Sequence, residues 1–224
     1  MKVEREKITQ ESSEYDRRWT DDSNYSAEQI GYTPRFLRLM SEGFSALTSG
    51  ASVLEIGCGN GFFSEQLSKK GLMVTAVDLS RVGLQKAKSR CPAGEFILHD
   101  LGQPLPFVDG RFDGIWCSEV LEHLFAPQFV LGEALRVLKP GGALLATVPY
   151  HGLLKNLAIA AFAFDSHYDP TYPHIRFFTK KTLRKITSET GFQIDQISVC
   201  GSQLGVRDWL FPTNILLQAS KRRT

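Results

Sequence analysis

The rhythm of apolar and polar positions changes from one segment of this chain to the next. From residue 50 onward, short apolar runs alternate with stretches of helical spacing. The runs at 53–56, 73–77, 96–98, 112–117 and 143–148 are short and rich in Val, Ile, Leu and Phe, as buried strands are. Between them, 60–70, 81–90 and 127–138 read as helices, the last halted by Pro140-Gly141-Gly142. A further helix is expected over 179–190, closed by Gly191, with strands at about 192–199 and 215–219. Ahead of this series, Thr33-Pro34 reads as an N-cap with proline in the first turn. It opens a helix to about residue 47 whose Phe36, Leu39, Met40 and Phe44 share one face. Residues 1–30 are polar and weakly patterned, with Tyr15, Trp19 and Tyr25 scattered among them.

Strand–helix alternation of this kind predicts an α/β fold. The expected form is a doubly wound, mostly parallel, seven-stranded sheet with helices on both faces. No helix separates the last two strands, so they should pair as a hairpin and set an antiparallel strand at the edge. A length of 224 residues suits one domain. Its expected parts are N-terminal cap helices over 1–49, a ligand-binding core over 50–149, an insert over 150–178, and a final helix and strand pair over 179–224.

Composition changes this picture little. Hydrophobic residues make up 42% and charged residues 22%, as in an ordinary globular chain. A net charge of +2 is too small for a nucleic-acid groove, so no nucleic-acid partner is expected. The basic Lys221-Arg222-Arg223 reads as a solvated end. Cys58, Cys91, Cys117 and Cys200 form no C-x-x-C pair, which suits reduced thiols and a cytoplasmic location. The charged N-terminus lacks a signal-peptide core, and no run reaches the ~18 apolar residues of a membrane span.

The chemistry begins at residues 53–61, Val-Leu-Glu-Ile-Gly-Cys-Gly-Asn-Gly. Gly57, Gly59 and Gly61 lie between a strand and a helix, where positive φ and close ligand approach favour glycine. A dinucleotide fingerprint, G-x-G-x-x-G, would need glycine at 62, which is Phe62. Glu55 also precedes the loop; a diphosphate disfavours a nearby carboxylate, whereas a ligand bearing an ammonium group welcomes one. An acid followed by G-x-G-x-G resembles the first motif of the class I S-adenosylmethionine-dependent methyltransferases. A nicotinamide dehydrogenase is the nearest alternative by fold.

The resemblance extends over about 53–148 and implies S-adenosylmethionine as cofactor. Glu55 would serve its cationic side, and the backbone at Gly57 and Gly59 would approach its methionine and ribose portion. Asp78, after the second strand, would accept from both ribose hydroxyls. Asp100 and the Leu101 N–H would meet the adenine edge, with Leu79 and Leu101 walling the ring. The Cys117 carbonyl, after the fourth strand, would accept from the methionine ammonium. Leu138-Lys139-Pro140-Gly141-Gly142 is also family-like, with a structural role.

The acceptor side is less determined. Glu119, Glu122 and His123, at spacings of three and four, fall on one face of a helical turn. Together with His174 they are similar to the metal site of small-RNA 2′-O-methyltransferases. The same Glu-Val-Leu-Glu-His stretch occurs in family members that need no metal, so no metal ligand is assigned and His123 is read as a base facing the acceptor. The insert at 153–164 is strongly apolar. It reads as a lid over an apolar acceptor, as a helix dipping into a membrane interface, or as a packed helix capping the sheet. Ubiquinone-biosynthesis O-methyltransferases are similar in carrying Glu-x-x-Glu-His and an insert near here. Residues 15–19 are expected to fold over the cofactor, with Tyr15 or Trp19 closing the pocket. The expected reaction is methyl transfer to O or N of a small, lipophilic acceptor. A metal-assisted RNA 2′-O-methyltransferase and a catalytically silent S-adenosylmethionine-binding regulator are the alternatives.

Overall fold

A computed structural model describes residues 16–17, 19–20, 33–169, 174–201 and 212–223. Helix α1 (Thr33–Gly43) precedes β1 (Ser52–Ile56), α2 (Phe62–Lys69), β2 (Met73–Asp78), α3 (Arg81–Arg90) and β3 (Glu95–Leu98). Then come β4 (Phe112–Ser118), a 3-10 turn (Leu121–His123), α4 (Pro127–Val137) and β5 (Leu138–Pro149). The chain continues through α5 (Leu153–Phe162), α6 (Phe164–His167), α7 (Lys180–Glu189), β6 (Gln193–Cys200) and β7 (Asn214–Ser220).

The seven strands form one sheet in the order β3-β2-β1-β4-β5-β7-β6. The first five pair in parallel, and β7 runs antiparallel to both β5 and β6. The antiparallel pairing expected at one edge is therefore made by a strand inserted between β5 and β6. Chain order reverses direction between β1 and β4, which opens a crevice beyond their carboxyl ends.

Alternation along β1 explains how both faces are covered. Leu54 and Ile56 join a core that includes Val130, Leu131 and Leu183. Val53 faces the other way, among Phe36, Met40, Leu67 and Ala87 from α1, α2 and α3. Glu55 shares that second face and is buried there.

Two details differ from the sequence expectation. Helix α4 ends at Val137, before Pro140, and β5 begins at once. Phe112 pairs with Leu138 and Gly114 with Ala143, so the Lys-Pro-Gly-Gly segment is looped out of the ladder. The Gly141 N–H donates to the Lys221 carbonyl (2.8 Å), which holds that loop. Lys221 is accordingly no solvated end: its Nζ donates to the Leu138 carbonyl (2.7 Å) beyond the end of α4. A cation at a helix carboxyl end is favoured by the unpaired carbonyls and their dipole. Arg222 and Arg223 are exposed.

The insert folds into α5 and α6, and α5 is not a packed core helix. Ile159 is its buried residue, whereas Leu153, Leu154, Leu157 and Phe162 are exposed. No helix among the described residues is long and apolar enough to cross a membrane.

Candidate functional site

The loop after β1 takes the conformation its glycines permit. Gly57, Gly59 and Gly61 all have positive φ, at 74°, 50° and 77°. The Gly57 N–H donates to the Val77 carbonyl (2.8 Å), which fastens the loop to the end of β2. A Cβ at Gly57 would lie 2.3 Å from Val120 Cγ2, so the loop sits tightly beneath the segment after β4.

Asp78 closes the other side. Its Oδ2 accepts from the Gly59 N–H (2.7 Å) and its Oδ1 from the Ser80 N–H (2.8 Å). A carboxylate oxygen has two lone pairs, so each retains one acceptor position for a ligand. Burial raises the Asp78 pKa, against the lowering effect of those backbone N–H groups. Leu79 and Leu101 are half-buried. Asp100 makes a local turn, with its Oδ1 accepting from the Gly102 N–H (2.8 Å).

The N-terminal segment lies over this loop. Trp19 packs against Gly59, where a Cβ would come 2.3 Å from Cζ2 of the indole. Asp16 Oδ1 accepts from Ser80 Oγ (2.6 Å) and the Val82 N–H (3.1 Å), at the start of α3. Tyr15 lies outside the described residues.

Glu55 is fully buried and accepts from the Ser64 hydroxyl. Burial pushes its pKa from 4.5 to about 8; the Ser64 bond opposes the shift and Asp78 adds to it. A folded-state pKa above the unfolded one favours the folded chain at low pH. That contribution is lost as pH rises from about 4.5 through about 8. Thermal denaturation of the wild-type chain should therefore show falling stability across this window. In Glu55→Gln the fall should shrink by on the order of a few kcal/mol. An unchanged slope would place the Glu55 proton elsewhere.

Beyond β4 the backbone is strained. Glu119 has φ 55°, a left-handed conformation for a side chain that rarely adopts it. Its carboxylate explains the placement. Thr147 Oγ1 donates to Oε1 (2.9 Å), and Asn214 Nδ2 lies 3.1 Å from both oxygens. Thr147 comes from β5 and Asn214 from β7, so three strands meet at this one group. Burial raises its pKa. Cys117, just before it, is buried, and burial together with Glu122, Glu119 and Glu55 pushes its thiol up.

Glu122, His123 and His174 converge. One ligand atom from each lies within 4.8 Å of the others. The Glu122 carbonyl accepts from the N–H groups of Ile175 and Arg176, both at 3.0 Å, and this brings His174 alongside. Glu122 is wholly buried, and neither of its carboxylate oxygens has a hydrogen-bond partner among the described residues. Burial and the nearby Glu119 raise its pKa well above the carboxylate range. An orphaned buried carboxylate beside two imidazoles is a donor set that could hold a divalent ion. Glu119, expected as a fourth member of that group, is tied to Thr147 and Asn214 instead.

Residues not singled out in the sequence also gather here. His151, two residues past the end of β5, is buried against His167 and Phe177, with ring centroids 5.3 and 4.8 Å away. Its position just past a strand's carboxyl end was the available signal. Asn214 carried none, because only the return of β7 into the sheet brings it to Glu119.

Comparison with known proteins agrees with this fold. The family described as a methyltransferase domain matches residues 54–146. A ubiquinone biosynthesis O-methyltransferase of Chromobacterium violaceum is 28% identical over 170 residues, covering 70% of each chain. A demethylmenaquinone methyltransferase of Renibacterium salmoninarum is 39% identical over 116 residues, 52% of this chain and 48% of that one. Among solved structures, the N-methyltransferase NodS of Bradyrhizobium japonicum, in complex with S-adenosyl-L-homocysteine, superposes with a TM-score of 0.69 at 18% identity. That match covers 94% of this chain and 97% of NodS. The [4+2]-cyclase SpnF has a TM-score of 0.68 at 21% identity, covering 86% and 82%; at such identities the likeness concerns the fold alone. The glycine loop, the acid at the end of β2 and the matched domain together support a class I S-adenosylmethionine-dependent methyltransferase.

Proposed function

We propose that this enzyme methylates an oxygen or nitrogen of a small, apolar acceptor that enters between the carboxyl end of the sheet and the α5–α6 insert. The observation that carries this reading is the exposed apolar face beside the site. Leu153, Leu154, Leu157, Phe162 and Phe164 of the insert stand open to solvent, as do Phe125, Ile175 and Phe177 nearby. An exposed patch of this kind marks a surface that binds something apolar. The names of the similar proteins, which include ubiquinone- and menaquinone-pathway enzymes, point to the same acceptor chemistry. The same face is suited to shallow contact with a membrane interface, where such acceptors partition.

Bound S-adenosylmethionine supplies a methyl carbon already activated by its sulfonium. The chain's own residues then hold, orient and exclude water. In this reading Gly57, Gly59, Asp78 and the Cys117 carbonyl hold the methionine and ribose portion. Asp100, Leu79 and Leu101 meet the adenine, and Glu55, pushed by burial to a pKa of about 8, braces the loop from beneath through Ser64. His123 stands on the acceptor side as the proton acceptor. In a second reading Glu122, His123 and His174 would hold a divalent ion, which would supply Lewis-acid activation of an acceptor hydroxyl.

The test is transfer of labelled methyl from S-adenosylmethionine to a panel of alkylphenols, alkylcatechols, alkylamines and short RNAs. Turnover of the alkylated acceptors, and none of the RNAs, is expected. A chain that binds S-adenosylhomocysteine yet methylates none of the small acceptors would overturn the proposal. Turnover that survives exhaustive chelation would remove the metal-assisted reading.

A further inference from the structure

Three buried polar atoms beneath the insert have no hydrogen-bond partner among the described residues. They are His151 Nδ1, Asn156 Oδ1 and His167 Nε2. Leaving polar atoms buried and unpaired is costly, and native structures rarely do so without strain, a functional role, or a bound water or ion. All three belong to one neighbourhood. The rings of His151 and His167 are 5.3 Å apart. Asn156 donates through Nδ2 to the His151 carbonyl (3.3 Å), and its side chain also faces the His151 ring, a contact that raises that imidazole's pKa against the effect of burial.

Aromatic rings enclose the group. Phe177 meets His151 edge-on at 4.8 Å. Tyr168 meets His167 at 5.1 Å and Phe177 at 5.5 Å, and both Tyr168 and Phe177 are partly open to solvent. The polar atoms therefore lie under an aromatic wall whose outer side adjoins the exposed apolar face of the insert.

We propose that His151, Asn156 and His167 bind a hydroxyl of the methyl acceptor, as residues that position it and determine specificity. This rests on the reading of the enzyme as one acting on small apolar acceptors, and it narrows their class to neutral hydroxyl compounds. A hydroxyl can donate its one proton to Asn156 Oδ1 and accept from imidazole N–H groups through its two lone pairs. An ammonium group would be disfavoured by Lys155, whose charge, with burial, already lowers the pKa of both histidines. Burial holds His151 at about 4, so it stays a neutral partner at physiological pH. Lys155 itself is held by the Tyr150 carbonyl (3.0 Å) and attracted by Glu119. The location fits as well. Ser118 pairs with Thr147 across β4 and β5, and His151 lies four residues beyond Thr147, past the carboxyl edge where acceptors would enter.

The test compares 4-propylphenol with propylbenzene by calorimetry on the full chain loaded with S-adenosylhomocysteine. The wild-type chain should bind the phenol at least ten-fold more tightly than the hydrocarbon. His151→Ala and His167→Ala should each lose about ten-fold in phenol affinity, while propylbenzene and S-adenosylhomocysteine bind as before. His151→Asn, which keeps a hydrogen-bonding group, should retain part of the preference. If His151→Ala no longer binds S-adenosylhomocysteine, it has lost its fold, and His151→Asn and His167→Ala decide. Equal binding of the two probes to the wild-type chain overturns the inference. So does an unchanged phenol affinity in folded variants, which would mark the three atoms as a site for buried water. Failure of the underlying reading shows separately, as the absence of methyl transfer to every small acceptor.

Discussion

Replacing Asp78 by alanine is expected to weaken S-adenosylmethionine binding by about 100-fold. Two effects add. In the folded chain Asp78 accepts from the Gly59 and Ser80 N–H groups, which the substitution leaves unpaired in a part-buried site. Each orphaned group costs about 1–3 kcal/mol. The assigned ribose contact would also vanish, and hydrogen bonds to a charged acceptor contribute about 1.5–3 kcal/mol. Part of the first cost falls on the fold and not on binding, so two decades is the net expectation. Asp78→Asn should recover little, because its amide nitrogen would face an N–H donor. Isothermal calorimetry with S-adenosylmethionine and S-adenosylhomocysteine reads the effect. Wild-type affinity in Asp78→Ala would show that the ribose is held elsewhere.

The second large effect is on the fold. Gly61→Ala should destabilise the chain by about 2–5 kcal/mol. Its φ of 77° is left-handed, which costs a residue with a Cβ about 1–2 kcal/mol. The new Cβ would also stand 2.6 Å from the Ala87 Cα and 3.2 Å from its carbonyl oxygen. Both are backbone atoms of α3, so a side-chain rotation cannot relieve them, and overpacking of this kind costs about 1–3 kcal/mol. Gly110 provides the control: its φ is 63°, but a Cβ there meets nothing within 4 Å. Gly110→Ala should show the backbone cost alone. Equal denaturation midpoints for the two variants would mean that α2 and α3 do not approach closely at the loop.

The two substitutions also show why the loop was legible in the sequence. Glycines at 57, 59 and 61 announce a backbone that needs positive φ, and all three have it. Glu55 and Asp78 were readable because strand ends follow from the apolar runs, and an acid at a strand end stands out. The Pro-Gly-Gly segment misled: the helix ends at Val137, and β5 begins at Leu138 and not at Ala143. A proline normally closes a helix, yet here α4 had already ended and β5 begun, and the segment is held by Lys221 from the far end of the chain. The role of Lys221 was invisible for the same reason: its partners are carbonyls more than eighty residues away.

The acceptor side divides in the same way. Glu119, Glu122 and His123 share a motif, and sequence spacing set them on one face. The structure separates them. Glu119 takes a left-handed conformation and turns to Thr147 and Asn214, while Glu122 and His123 turn to His174. Spacing assumes a regular turn, and the strain at Glu119 breaks that assumption. The insert that carries His151, Asn156 and His167 was legible as part of the acceptor side, but the three received no roles, because no local pattern links the end of a strand to two short helices.

By itself, then, the sequence determined the strand–helix alternation, the glycine cradle and the acids at successive strand ends. These depend on backbone conformation and period, which are local properties. The tertiary structure decided which side chains meet beyond β4 and β5, that α5 leaves its apolar face open, and that β7 returns between β5 and β6. Those outcomes depend on contacts between residues distant in the chain, whose free energy belongs to pairs brought together by the sheet and to no single segment.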